Sequence, residues 1–268
     1  MESALTAPFL QPGSEVGNVV FDIDGVVRLG ETVVPGAPGA IQQLSEAGCR
    51  VLFATNNATK TTIEVAGFLT SMLGLPISPG SVVTSAVAAA MMLDPADRPV
   101  FVVGEPGLVA TLEGDGHEVT GDPTEARSVV AGLDRQFDYD RLTTAMVAIH
   151  GGARLIATNT DATFPTPTGE VPGAGAIIAA LETAGGITAE VAGKPHAPMT
   201  AAVAARLEPG PVWVVGDRPE TDLAMARSEG WTAVLVLTGI TRDPESIPAE
   251  HTPHVVLESI ADVADLVL

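Results

Sequence analysis

The strongest constraint on this chain is its rhythm: from residue 18 onward, short β-branched apolar runs alternate with alanine-rich stretches of helical length. That alternation predicts βαβ units and a largely parallel sheet, because two parallel strands need a long crossover between them and a helix supplies it. "NVVFDID" (18–24) reads as a first strand, "GAPGAIQQLSEAG" (36–48) as a helix closed by Gly48, and "CRVLFATNN" (49–57) as a second strand. "TTIEVAGFLTSMLG" is a further helix, and "SVVTSAVAAAMMLD" a short strand passing into one. Fresh units follow in "RPVFVVGEPG", "RSVVAGLDRQFDYDRLTTAMVAI" and "ARLIATNTDATFPTPTGEVPGAGAIIAALETAGG". The last quarter returns to the first rhythm in "PVWVVGDRPETDLAMARSEG", "WTAVLVLTG" and "HVVLESIADVADLVL".

Strands that are apolar on both faces belong to a sheet covered by helices on both sides, and ligands of such sheets bind beyond the carboxyl ends of the strands. Polar residues at those ends therefore carry the functional signal. Four sets stand there: Asp22 with Asp24 after "VVF", Thr55 with Asn56 and Asn57 after "VLFA", Lys194 after "AEVAG", and Asp217 with Asp222 after "VWVVG". If the strands are neighbours, four carboxylates, a hydroxyl and an ammonium meet at one rim. Crowded carboxylates repel, and burial raises their pKa values unless positive charge compensates. A hard, oxygen-seeking cation such as Mg²⁺ is the natural compensator. A metal-bound carboxylate stays ionised and can attack an electrophile, while its neighbour trades a proton. Phosphoryl transfer needs little more than charge neutralisation and alignment around the equatorial oxygens. Gly25 lets the chain turn sharply beside them.

Composition narrows the partners. With 13 basic against 33 acidic residues the net charge is −20, which argues against nucleic acid and anionic membrane surfaces. Only two of the basic residues, Lys60 and Lys194, are lysines. No segment approaches the roughly 18 uninterrupted apolar residues of a membrane span. "MESALTAPFLQPGSE" lacks the basic start and long apolar stretch of an export signal, and the single cysteine, Cys49, suits a reducing compartment. The expected location is the cytoplasm.

"FDIDGVV", "ATNNAT", "GKP" and "GDRPETD", in that order and separation, resemble the four motifs of the haloacid dehalogenase superfamily of phosphatases. The intervening "VVAGLDRQFDYDRL" and "ATNTDATFPTPTGEVPGAGAI" are similar to its NagD and p-nitrophenyl phosphatase branch, which includes phosphoglycolate, glycerol-3-phosphate and pyridoxal phosphate phosphatases. The resemblance runs from about residue 17 to the C-terminus. It implies an α/β fold: a Rossmann-like core with a parallel sheet flanked by helices, in two parts (1–86 and 189–268), and an inserted α/β cap of the C2 type at 87–188. It also implies roles. Asp22 is the nucleophile; Asp24 is the acid and base; Thr55 and Lys194 hold the phosphate with help from the backbone near Asn56 and Asn57. Mg²⁺ is bound by the Asp22 carboxylate, the Asp24 carbonyl and the Asp217 carboxylate, and Asp222 anchors Lys194 or a metal-bound water. Phe164 lies in a cap loop that dips toward the leaving group, where an aromatic limits substrate size. A homodimer through the cap is common in related proteins, though nothing in this composition requires one.

The expected function is a Mg²⁺-dependent phosphatase of a small phosphorylated metabolite, with p-nitrophenyl phosphate as an artificial substrate. Phosphotransfer to an acceptor other than water, as in a mutase, uses the same motifs. A non-catalytic phospho-acceptor module of the receiver type fits less well, being about half this length with its acceptor on a later strand. Dehalogenation needs neither the second acid nor the metal. Two departures stand out: Val26 where many superfamily members have Thr, and Glu220 where close relatives often have Asp. Asp217 and Asp222 also read as a helix cap and a first-turn acid, and Asp134 with Arg135 as a structural turn and ion pair.

Overall fold

The structure, a computed structural model, describes residues 17–166 and 169–268, so the N-terminal stretch weighed above for an export signal lies outside the described residues. The strands in chain order are β1 Asn18–Phe21, β2 Arg28–Leu29, β3 Thr32–Val33, β4 Arg50–Thr55, β5 Val82–Thr84, β6 Val100–Val103 and β7 Ser128–Ala131. They continue as β8 Arg154–Ala157, β9 Thr163–Thr166, β10 Gly169–Pro172, β11 Glu190–Val191, β12 Val212–Gly216, β13 Thr232–Val236 and β14 Val255–Leu257. The α-helices are α1 Ala37–Glu46, α2 Thr62–Leu73, α3 Ser85–Ala90, α4 Pro106–Gly114, α5 Tyr139–His150, α6 Ala174–Gly185, α7 Ala197–Ala204, α8 Ala224–Ser228 and α9 Val263–Val267. Contacts divide the chain into two compact units: the chain up to Ala54 with Ala66–Val82 and Val203–Leu268, and Thr55–Val65 with Val83–Ala202.

The first unit is built on a six-stranded sheet of order β14-β13-β12-β1-β4-β5. Its β1 lies parallel to both β12 and β4, with Phe21 opposite Val215 and Phe53. Every residue of β1, β12 and β13 is buried, which a strand achieves only when both faces of its sheet are covered. Helix α1 buries Ala37, Ala40, Ile41 and Leu44, an i, i+3, i+4, i+7 stripe. It follows Gly36, whose φ of 85° is left-handed and whose hydrogen faces Ala261, where a Cβ would come within 2.5 Å of the Ala261 Cβ.

The second unit carries a parallel sheet of order β11-β8-β7-β6 and the antiparallel hairpin β9-β10. Val129, Ala131 and Leu155 pack with Ala145, Ala148, Ile149, Ile178 and Leu181 of α5 and α6 into one core. At the start of β8, Arg154 bridges Asp97 (2.7 Å) and Glu190 (2.8 Å). Burial works to raise the Asp97 carboxyl, but the Asp94 N–H and the Arg154 guanidinium outweigh it and hold it below its ordinary value. Hydrogen bonds from Arg154 hold Glu190 low as well.

Two details differ from the sequence reading. The second strand stops at Thr55 rather than running to residue 57, because the Asn57 side chain accepts from the Thr59 N–H (2.9 Å) and folds the chain into an Asx turn. The ribbon β2-β3 was not anticipated, since two-residue strands carry no readable alternation. Among the described residues no helix is long and apolar enough to cross a membrane.

Candidate active site

In the first unit the carboxylates gather at strand ends. Asp22 follows β1, and its N–H donates to the Val215 carbonyl of β12 (2.9 Å). Asp217 follows β12 directly, and Asp222 lies on the next turn, Pro219–Leu223. One oxygen from each of the three lies within 4.8 Å of the others, and Asp217 and Asp222 are each only 1% exposed. Three acids in so small a space, two of them buried, offer the all-oxygen donor set that a hard divalent cation takes.

Glycines make the crowding feasible. A Cβ on Gly25 would come within 2.3 Å of Asp217 Oδ2, one on Gly239 within 1.9 Å of the same atom, and one on Gly216 within 2.1 Å of the Asp222 Cβ. The loops are laced together: Thr238 Oγ1 donates to the Gly25 carbonyl (2.6 Å), and the Ile240 N–H donates to Asp217 Oδ2 (2.7 Å). This corrects the reading of Asp217 as a helix cap. The turn at 219 starts from Arg218 with no side-chain cap, and the Asp217 carboxylate reaches instead to the chain after β13, which Gly239 lets approach. Asp222 accepts from the Arg218 N–H and from Thr221 Oγ1, both at 3.3 Å. Asp24 has a 44% exposed side chain and pairs with Arg28 at 2.7 Å, whose guanidinium lies 5.0 Å from the Phe68 ring centre. Arg28 escaped the sequence reading; its spacing of four from Asp24 was the available signal.

In the second unit a different set meets. Thr55, 4% exposed, accepts from the Asn57 N–H at 3.1 Å, which shapes the turn after β4. Asn56 Oδ1 accepts from the Lys194 N–H (2.7 Å) and Asn56 Nδ2 donates to the Lys194 carbonyl (3.2 Å). The Asn56 carbonyl accepts from Asn159 Nδ2 (2.8 Å) and Ser85 Oγ (2.5 Å). Lys194 is 5% exposed, and Asn57 is exposed. Burial holds the neighbouring His196 imidazole below its ordinary value. Phe164 lines a cavity of about 440 Å³ with Leu133, Phe137, Val171 and Ile177. Asp134 and Arg135 find separate partners, Arg141 and Glu105. Asn159 and Ser85 were missed in the sequence; the echo of "ATNN" (54–57) in "ATNT" (157–160), each at a strand end, was the signal.

Comparison with known proteins agrees with this architecture. Residues 19–118 match a family model described as haloacid dehalogenase-like hydrolase, and residues 191–263 match a second, HAD-hydrolase-like model. Chronophin of Rattus norvegicus is 36% identical over 267 residues, covering 92% of this chain and 86% of that protein. The crystal structure of a glycerol phosphate phosphatase from Mycobacterium tuberculosis in complex with magnesium superposes with a TM-score of 0.82 at 34% identity, covering 91% of this chain and 74% of that one. The p-nitrophenyl phosphatase from Archaeoglobus fulgidus gives 0.84 at 32% identity, covering 92% and 98%. The chain belongs to the haloacid dehalogenase-like hydrolases, in the branch of the NagD and p-nitrophenyl phosphatase type.

Proposed function

We propose that this protein is a Mg²⁺-dependent phosphatase that hydrolyses phosphomonoesters of small metabolites through an aspartyl-phosphate on Asp22, with glycerol 3-phosphate and phosphoglycolate the foremost candidates. The observation that carries the reading is the convergence of Asp22, Asp217 and Asp222, with oxygens within 4.8 Å of one another. The magnesium-bound glycerol phosphate phosphatase among the similar structures adds support for the metal and the substrate class.

In this reading Asp22, the Asp24 carbonyl and Asp217 would hold Mg²⁺, which would supply positive charge against the phosphoryl oxygens. An Asp22 oxygen attacks phosphorus as the P–O bond to the leaving alcohol breaks, and Asp24 gives that oxygen a proton. Asp24 then takes a proton from a water that attacks phosphorus, the bond to Asp22 breaks, and phosphate leaves. Thr55 and Lys194 hold the phosphoryl oxygens, assisted by the chain at Asn56 and Asn57, while Asp222 would anchor Lys194 or a water that the cation would hold. The insert at 87–188 serves as cap, Phe164 limits the size of the leaving group, and the protein works in the cytoplasm, with pairing through the cap as its proposed assembly.

Phosphate release from p-nitrophenyl phosphate, with and without Mg²⁺, tests this for the native chain and for Asp22→Asn. Turnover that needs Mg²⁺ and falls about 10⁴-fold or more in the variant is expected. A stable phosphoprotein with no turnover overturns it. Glycerol 3-phosphate, phosphoglycolate and pyridoxal phosphate compared by kcat/KM then rank the substrates.

A further inference from the structure

We infer that Asn56, backed by Asn159 and Asp161, is a positioning residue that fixes the main chain of Lys194 and through it the ammonium that meets the phosphoryl group. The inference rests on the phosphatase reading above and assigns work to "ATNTD" (157–161), a motif that the proposed chemistry leaves without a task.

Asn56 grips both polar groups of one residue. Its Oδ1 accepts from the Lys194 N–H at 2.7 Å and its Nδ2 donates to the Lys194 carbonyl at 3.2 Å, the exchange that two directly opposed residues make in an antiparallel ladder. The approach needs glycine at position 193, where a Cβ would lie 2.5 Å from Asn56 Oδ1 and 2.6 Å from the Thr158 carbonyl. Asn56 is itself held from behind. Its carbonyl accepts from Asn159 Nδ2 (2.8 Å) and Ser85 Oγ (2.5 Å), and its Nδ2 also reaches the Asp161 carboxylate at 3.4 and 3.5 Å. Asn159 Oδ1 accepts from the Asp161 N–H (3.1 Å), which closes the bracket.

The residue type follows from this geometry. A primary amide carries its donor and its acceptor on two separate atoms of one short arm, so Asp loses the bond to the Lys194 carbonyl and Gln brings an extra methylene into the close contact at Gly193. A lysine stem has four rotatable bonds, so the ammonium is placed only as well as the main chain beneath it is fixed. Asn56 and Lys194 stand 138 residues apart, and this grip joins the end of β4 to the loop after β11.

The test uses the full chain and the convenience that it has only two lysines, Lys60 and Lys194. In steady-state assays with p-nitrophenyl phosphate and Mg²⁺, Asn56→Ala is expected to lower kcat/KM about 10²-fold, the scale of a roughly 1 Å misplacement, and Asn159→Ala about tenfold. In a Lys194→Met background Asn56→Ala should add less than about twofold, because the two residues act as one unit. NMR of ¹³Cε-labelled lysine should show the Lys194 signal displaced in Asn56→Ala and less so in Asn159→Ala, with Lys60 unmoved. Full additivity in the double variant, or an unmoved Lys194 signal, overturns the inference and leaves Asn56 a simple staple. If Asn56→Ala fails to fold, Asn159→Ala carries the same cycle. A native chain without Mg²⁺-dependent turnover sinks the phosphatase reading separately, and the lysine spectra still decide whether Asn56 governs Lys194.

Discussion

The two strand-end clusters solve the problem of polar burial in opposite ways. In the first unit Asp22, Asp217 and Asp222 bring three carboxyl groups together with oxygens within 4.8 Å of one another, and the Ile240 N–H donates to Asp217. In the second unit the amides of Asn56 and Asn159, with Ser85 Oγ and a single carboxylate at Asp161, form a network in which donors and acceptors answer one another. The contrast separates a cluster whose oxygens could be shared by a cation from a network held by its own hydrogen bonds.

Chelation breaks the contrast most sharply. Removing Mg²⁺ should abolish turnover, whereas adding millimolar Mg²⁺ should raise the melting temperature of the native chain and leave that of Asp217→Asn unmoved, by preferential binding to the folded state. Scanning calorimetry checks this. Gly25→Ala comes next. It places a side chain at φ 90° and a Cβ 2.3 Å from Asp217 Oδ2, so a loss of about 2–4 kcal/mol is expected together with weaker Mg²⁺ binding, read by urea denaturation and titration calorimetry.

Arg154→Met probes the second unit away from the bracket. Asp97 and Glu190 are both held low in the folded protein, so the stability they contribute is present at neutral pH and is lost as pH falls from about 4, the unfolded value, through the folded ones. The variant should lose about 1–2 kcal/mol at pH 7, the discount reflecting partial exposure, and less than that at pH 3. The smallest effect is expected at Asn57→Ala, which removes an exposed Asx turn and should cost about 0.5–1 kcal/mol in the same denaturation assay.

Legibility in the sequence followed the range of the interactions. The strand at 18–24 appears as β1 Asn18–Phe21, the helix at 36–48 as α1 Ala37–Glu46, and the helix at 61–74 as α2 Thr62–Leu73, because burial period and terminating glycines are local signals. The clustering of Asp22 with Asp217 was also readable, since both directly follow apolar runs and the parallel sheet sets β1 beside β12. Asn159 left only the echo of "ATNN" in "ATNT" as a signal, because its partner is the carbonyl of Asn56, 103 residues away, and neither periodicity nor charge marks an amide that works across such a separation. Arg28 offered only its spacing of four from Asp24, since the ribbon that sets the pairing has strands of two residues each.

The glycines at 25, 216 and 239 have a consequence beyond making room. With backbone pressed against them on several sides, the carboxyl groups of Asp217 and Asp222 surrender their rotational freedom when the chain folds. On the proposed reading, a cation at Asp217 would find that carboxylate already aimed with Asp222 fixed beside it, and the entropy that a looser pocket would forfeit at the moment of capture has been given up in advance.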